Sequence, residues 1–250
     1  LKKIGYFSSK KYMRITIIGY GRMGREVENI ALEKGHEIIL RIDKDNTHDF
    51  DSEIFQTSDV AIEFSTPETA LANIRSCLDR GIPLVSGTTG WTEKLPEVKD
   101  LAQQKGTSFL YASNFSIGVN IMFNLNRRLA AIMDQLPAYS VNLEEIHHTM
   151  KKDAPSGTAI SLADDIISEC GRYDSWTQEA DTGNASISIK SVREGQVPGT
   201  HRAVWESAVD AITLEHKAHS RQGFALGAII AAEFIHKRKG VFSMSDLLGF

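Results

Sequence analysis

Gly19-Tyr20-Gly21-Arg22-Met23-Gly24 stands between a β-branched run, Arg14 to Ile18, and an amphipathic segment from about Arg22 to Lys34 that stops at Gly35. Strand, glycine turn and helix in that order open a βαβ unit. The glycines permit a tight turn, close approach of backbone to a pyrophosphate and close helix packing. The helix start adds unpaired N–H groups and a partial positive charge. Glu37 to Ile42 reads as the second strand. Asp43 at its end is about twenty residues past the last glycine, where a carboxylate accepts hydrogen bonds from an adenosine ribose. Lys44 beside it suits a 2′-phosphate instead. The same residues also fit a plain strand-to-helix turn and a solvated strand-end carboxylate.

The alternation continues. Asp59 to Phe64 reads as a strand, and Ser65-Thr66-Pro67-Glu68 as a helix start with a hydroxyl cap and a proline at the first helical position. That helix ends at Gly81. Strand Pro83 to Ser86, turn Gly87-Thr88-Thr89-Gly90, a helix from about Glu93 to Lys105 and strand Ser108 to Tyr111 complete the series. This rhythm predicts an α/β chain that opens on a Rossmann-type, doubly wound parallel sheet. After Asn114 a long helix, about Val119 to Leu136, precedes strand candidates Val141 to Ile146, Ile187 to Val192, Ala203 to Ser207 and Ala211 to His216, with helix Thr158 to Cys170 among them. They predict a second α+β domain with a mixed or antiparallel, one-sided sheet. A last helix from Phe224, capped by Gly240, returns to the first domain. The expected division is an extension over 1–12, a dinucleotide-binding domain over 13–114, a substrate-binding and oligomerisation domain over 115–222, and a returning segment over 223–250.

With 42% hydrophobic and 24% charged residues, the chain has the apolar content for a core and too little uncompensated charge for disorder. A formal charge of -4 argues against a general nucleic-acid binder while allowing a local basic patch. Cys77 and Cys170, both placed on helices and neither in a C-x-x-C pair, exclude a disulfide framework and fit a reducing, cytoplasmic setting. Phe224 to Ile235, the longest mainly apolar stretch near the C-terminus, is too short for a bilayer and carries Glu233. Residues 1–12 lack the apolar centre of a signal peptide. No nucleic-acid or membrane partner is expected.

The richest stretch runs from Glu145 to Ala159 and reads EIHHTMKKDAPSGTA. His147 titrates near neutral pH, and Lys151 supplies a cation. Ser156-Gly157-Thr158 enters a helix whose amides and hydroxyl suit a carboxylate. On a plain reading the two histidines end a strand, the lysines are solvated and Asp153 to Thr158 caps a helix. A metal reading is poorer, because His147 and His148 point to opposite faces of a strand and no third ligand has a helpful spacing. His216 and His219 are likewise incomplete, and no metal is expected.

From about Arg14 to its end the chain resembles the dihydrodipicolinate reductase family. The most specific piece is His147-His148-x-x-Lys151-x-Asp153-Ala154-Pro155-Ser156-Gly157-Thr158-Ala159, which is similar to the family signature throughout. Gly21-Arg22-Met23-Gly24, Phe64-Ser65-Thr66-Pro67-Glu68, Gly87-Thr88-Thr89-Gly90, Ser113 to Asn120 and Ser191-Val192-Arg193 follow in the family's order. The resemblance implies reduction of 4-hydroxy-tetrahydrodipicolinate, via dihydrodipicolinate, to tetrahydrodipicolinate with hydride from NADH or NADPH, in the diaminopimelate route to lysine. It implies His147 as general acid with Lys151 as its partner, and His148, Gly157, Thr158 and Arg221 as contacts to a small dicarboxylate. Gly19, Tyr20, Gly21, Arg22, Met23, Gly24, Asp43, Lys44, Gly87, Thr88, Thr89, Ala112, Ser113, Asn114 and Phe115 correspond to cofactor positions, and the family's usual assembly implies a homotetramer.

One departure stands out: many family members carry an additional residue in the first glycine loop, whereas this chain has the compact form. The pair Asp43-Lys44 leaves the choice between NADH and NADPH open. Two rivals remain. A different two-domain nicotinamide enzyme requires another substrate constellation, and a nucleotide-sensing protein without turnover sits poorly with intact His147, Lys151 and Thr158.

Overall fold

Short apolar runs separated by amphipathic segments build the first sheet. In chain order these are β1 (Arg14–Ile18), α1 (Arg22–Glu33), β2 (Glu37–Ile42), α2 (Glu53–Gln56), β3 (Val60–Glu63), α3 (Pro67–Asp79), β4 (Leu84–Ser86), α4 (Leu95–Gln104) and β5 (Ser108–Tyr111). The computed structural model describes residues 12–179, 185–220 and 222–250. The expected extension over 1–12 lies outside them except for Tyr12, and Arg221 lies outside them as well. Ile15, Ile17, Val60, Ala61, Ile62, Leu84, Val85 and Phe109 are buried, as expected of parallel strands covered on both faces. Each large apolar side chain so buried contributes about 1.5–3 kcal/mol.

The second stretch comprises α5 (Ile117–Met133), β6 (Ser140–His147), α6 (Gly157–Glu169), β7 (Ser175–Thr177), β8 (Ser186–Arg193), β9 (Thr200–Glu206) and β10 (Ala211–Lys217). Its sheet has the order β10-β9-β6-β8-β7. The β6–β8 and β7–β8 pairs are parallel, and β6–β9 and β9–β10 are antiparallel, so the sheet is mixed. Strand alternation sends Val141, Leu143, Ile187, Ile189, Ala203 and Trp205 into a core with Met122, Ala130, Leu162 and Ile166 of α5 and α6. The other face carries Asn142, Glu144, Lys190 and Arg202, none of them buried, with Glu144 paired to Lys190 at 3.2 Å and to Arg202 at 2.7 Å. This sheet is one-sided.

The chain then forms α7 (Gln222–Ile235), β11 (Gly240–Phe242) and α8 (Met244–Leu248). β11 joins β5 in parallel and completes a six-stranded parallel sheet of order β11-β5-β4-β3-β1-β2. Two compact units result: one runs to Ser116 and resumes from Gln222, and the other is the intervening stretch from Ile117. Gly240 does not cap the last helix as expected. α7 stops at Ile235, because Lys237 takes a left-handed backbone (φ +62°) that ends the helix, and Gly240, at φ +127°, opens β11 instead. Cys170 likewise lies one residue beyond α6, at its C-cap. Among the described residues no helix is long and apolar enough to cross a membrane.

Candidate active site

In the first unit β2 and β3 flank β1 on opposite sides. The loop after β1 therefore stands at the switch point where open parallel sheets bind ligands. Gly19 has φ +86°, and a Cβ there would lie 2.2 Å from the Phe64 carbonyl oxygen. A Cβ on Gly24 would lie 2.3 Å from the Gly19 carbonyl oxygen. These two glycines are demanded by the fold. Gly21 is different, with φ -77° and nothing within 4 Å of its Cβ position. It is the N-cap of α1, which has no side-chain cap and no acidic residue in its first turn. The helix start thus keeps N–H groups for an anion, and open space lies over Gly21. These residues fit the pyrophosphate of a dinucleotide.

Two hydrogen-bond networks shape the carboxyl edge of this sheet. Asp43 follows β2, exposed, and accepts the Tyr20 N–H at 3.3 Å and the Lys44 N–H at 2.9 Å, while its own N–H goes to Asn46 Oδ1 at 2.7 Å. The Tyr20 hydroxyl bonds Glu28, which also takes Arg41, and Arg25 and Arg41 each lie 5.7 Å from the Tyr20 ring. The Arg41 guanidinium holds the Glu28 carboxyl below the usual carboxylate range. Arg22 is exposed and Met23 half-buried at the start of α1.

The second network centres on Glu63, fully buried at the end of β3. It accepts from Ser65 N at 2.9 Å, Ser86 Oγ at 2.6 Å and Thr88 Oγ1 at 2.7 Å. Thr88 therefore turns its side chain inward, while Thr89 remains exposed. A Cβ on Gly87 would lie 2.0 Å from the Phe64 ring, so a larger residue there would have to displace that ring. Beyond β5, Ala112 donates to the Ser86 carbonyl at 3.3 Å, Ser113 is exposed, Asn114 Oδ1 accepts the Ser116 N–H at 2.9 Å, and Phe115 meets Phe64 edge to face at 5.7 Å.

The second unit assembles the histidine site by strand geometry. Glu145 and His147 are two apart on β6 and share the buried face, while the antiparallel register sets His201 opposite Glu145 and the parallel one sets Arg193 opposite His147. Glu145 is fully buried. It accepts the Ser156 N–H on both oxygens, at 3.1 and 3.0 Å, and Arg193 Nη2 at 3.0 Å. Burial works to raise its carboxyl, but the bonds from Ser156 and Arg193 outweigh that and keep it below the usual range. His147 Nδ1 lies 3.4 Å from Glu145 Oε2, and the His147 and His201 rings meet edge to face at 5.0 Å. Burial pushes the His147 imidazole down; Lys151 and Arg193 add to that, and Glu145 and Asp153 oppose it. His201 is pushed down to about 3, first by burial and then by His147. It is neutral at physiological pH.

Lys151 pairs with Asp153 at 2.6 Å, and Arg193 also donates to the Asp153 carbonyl oxygen. Ser156 caps α6, its Oγ accepting the Ala159 N–H at 3.2 Å. Gly157 opens the helix with nothing within 4 Å of its Cβ position, and Thr158 follows it, half-buried. His148 sits just past β6, half-buried. Arg221 lies outside the described residues. His147 thus ends β6, Gly157 and Thr158 open α6, and Lys151 lies in the turn between them.

Spacing alone missed Glu145, Arg193, His201 and Glu63 as parts of these sites. Glu145 stood inside the motif, and an acidic residue in an apolar strand was its only signal. Glu145, His147 and His201 also bring three ligand-type atoms within 4.8 Å of one another, a grouping made by strand register that sequence spacing did not show. Glu145 is nevertheless already committed to Ser156 and Arg193.

The fold is a Rossmann-type nucleotide-binding sheet with an α+β companion, an architecture shared by oxidoreductases that use nicotinamide cofactors. Family models for the dihydrodipicolinate reductase N-terminus and C-terminus match residues 13–115 and 118–248. The 4-hydroxy-tetrahydrodipicolinate reductase of Christiangramia forsetii is 46% identical over 239 residues, 94% of this chain and 98% of that protein. The enzyme of that name from Pseudoalteromonas atlantica is 37% identical over 209 residues, 80% and 77% of the two chains. A solved structure of dipicolinate-bound dihydrodipicolinate reductase from Paenisporosarcina sp. TG-14 is 25% identical with a TM-score of 0.78, covering 93% of this chain and 97% of that one. The chain belongs to the dihydrodipicolinate reductase family.

Proposed function

We propose that this chain reduces 4-hydroxy-tetrahydrodipicolinate, by way of dihydrodipicolinate, to tetrahydrodipicolinate, using NADH or NADPH, in the diaminopimelate route to lysine. The observation that carries the reading is the turn from β6 to α6, where a buried histidine, a lysine and an uncrowded helix start stand together. A relative with the same overall fold binds dipicolinate, a planar dicarboxylate of the same ring skeleton. Oxidation of NADH and of NADPH in the presence of freshly generated substrate tests the reading directly. No oxidation of either would remove it.

The residues divide the work. The reduced nicotinamide supplies the hydride when bound, to ring carbon 4 of the conjugated imine, and electrons move toward the ring nitrogen. The neighbouring ring carbon then needs a proton, which His147 gives as general acid. Lys151 and the α6 N–H groups hold carboxylates, the lysine by exchanging its bond to Asp153 for one to substrate. The added negative charge favours the protonated imidazole that burial disfavours. Thr88 and Glu63 fix the strand ends that would face the nicotinamide, and Gly21 leaves the pyrophosphate its approach.

Asp43 is the ribose partner in this reading. Asp43→Ala is expected to weaken NADH roughly tenfold or more, since charged hydrogen bonds contribute about 1.5–3 kcal/mol, and to weaken NADPH less, because its phosphate stands where the carboxylate would bond. Fluorescence titration of both cofactors decides this, and equal losses would take Asp43 out of the ribose site. A homotetramer is the expected assembly, as the family resemblance implies, and the second sheet is where it would form, since one of its faces has no covering layer among the described residues. Light scattering at four chain masses supports it, and a single-chain mass counts against it. Two free, buried cysteines suit a cytoplasmic setting.

A further inference from the structure

The general acid and the anion-binding helix start belong to different elements, β6 and α6, yet one side chain touches both. Glu145 takes the Ser156 N–H at the cap of α6 and approaches His147 Nδ1 at 3.4 Å. That nitrogen is buried and makes no hydrogen bond among the described residues. Its contact with the carboxylate is longer than a formed hydrogen bond, as catalytic contacts often are before ligand arrives. The ring's other nitrogen, Nε2, faces Gly199, where a Cβ would lie only 3.1 Å away. His201 completes the group through its Nε2, 3.1 Å from the Ser156 hydroxyl.

We propose that Glu145 is the positioning residue of this reaction, holding His147 by Nδ1 so that Nε2 delivers the proton, and fixing the α6 start against it through Ser156. The proposal rests on the reading of His147 as general acid. An imidazolium that gives its Nε2 proton needs Nδ1–H to stay bonded, and a carboxylate there both orients the ring and stabilises its charged form. Arg193 balances Glu145, which allows the carboxylate to remain ionised without a counter-ion from substrate. The charged and titratable groups facing His147 are Glu145, Lys151, Asp153, Arg193 and His201. Without the charge of Glu145, the two cations facing the ring are opposed only by Asp153.

The test is Glu145→Gln, read by the pH dependence of kcat with cofactor titration as a check on the first unit. Glutamine keeps the shape but offers no charge to Nδ1–H. The proton-donating form is then lost at lower pH, so the alkaline fall of kcat moves down by about one unit or more. At neutral pH kcat drops roughly tenfold to a hundredfold, and in a His147→Gln background the same change has no further effect. An unshifted pH profile, or an equal loss in both backgrounds, overturns the proposal. If the glutamine variant does not fold, Glu145→Asp decides: a parent-like pH limb with reduced kcat supports positioning, and parent-like kcat overturns it. Parent-like turnover by His147→Gln alone would instead overturn the general-acid reading beneath it.

Discussion

His147→Gln is expected to lower kcat by roughly a hundredfold to ten-thousandfold, a barrier increase of about 3–5 kcal/mol, while NADH and NADPH bind nearly as they do to the parent. Glutamine occupies similar space beside Glu145 and His201 but has no proton to give at comparable free energy. The glycine loop belongs to the other unit, so nucleotide affinity has no reason to fall. Steady-state kinetics at saturating substrate, beside cofactor titrations, separate the two effects. Parent-like turnover would return His147 to the status of a structural strand-end residue.

Gly21→Val is expected to abolish tight nucleotide binding without unfolding the chain. The valine Cβ enters a position with no described protein atom within 4 Å, at a φ of -77° that any residue adopts. The change at the N-cap of α1 costs the helix about 1 kcal/mol or less. The same methyl groups stand where the pyrophosphate must approach the backbone, and affinity should fall roughly a hundredfold, about 3 kcal/mol. Calorimetric titration together with a thermal melt checks both halves. Unchanged affinity in a folded variant would move the cofactor away from this loop. Gly19 is no substitute for this experiment, since a Cβ there meets the Phe64 backbone and the fold itself would shift.

The parallel sheet was legible because its signals are local: apolar runs of strand length, glycines after them, and a proline at the start of α3. The mixed sheet was legible as a change of rhythm, but its order was not. Nothing near His201 announces that it lies across from Glu145, over fifty residues away in sequence, because register between β6 and β9 is set by side chains packing on α5 and α6. For the same reason the motif supplied His147 and Lys151 but not Arg193's grip on Glu145. β11 was missed because three half-buried residues carry too little pattern to separate a strand from a helix tail.

The two polar clusters at the carboxyl edge of the parallel sheet have no member in common. Asp43 is tied to Tyr20, Lys44 and Asn46, and Glu63 to Ser65, Ser86 and Thr88. Changes at separate, unshared sites combine additively. On the proposed cofactor reading, the residues after β2 that would meet the adenosine can be changed without breaking any of the hydrogen bonds from Ser65, Ser86 and Thr88 to Glu63. On that reading, a change of reduced cofactor calls for substitutions in the few residues after β2 and leaves the Glu63 hydrogen bonds in place.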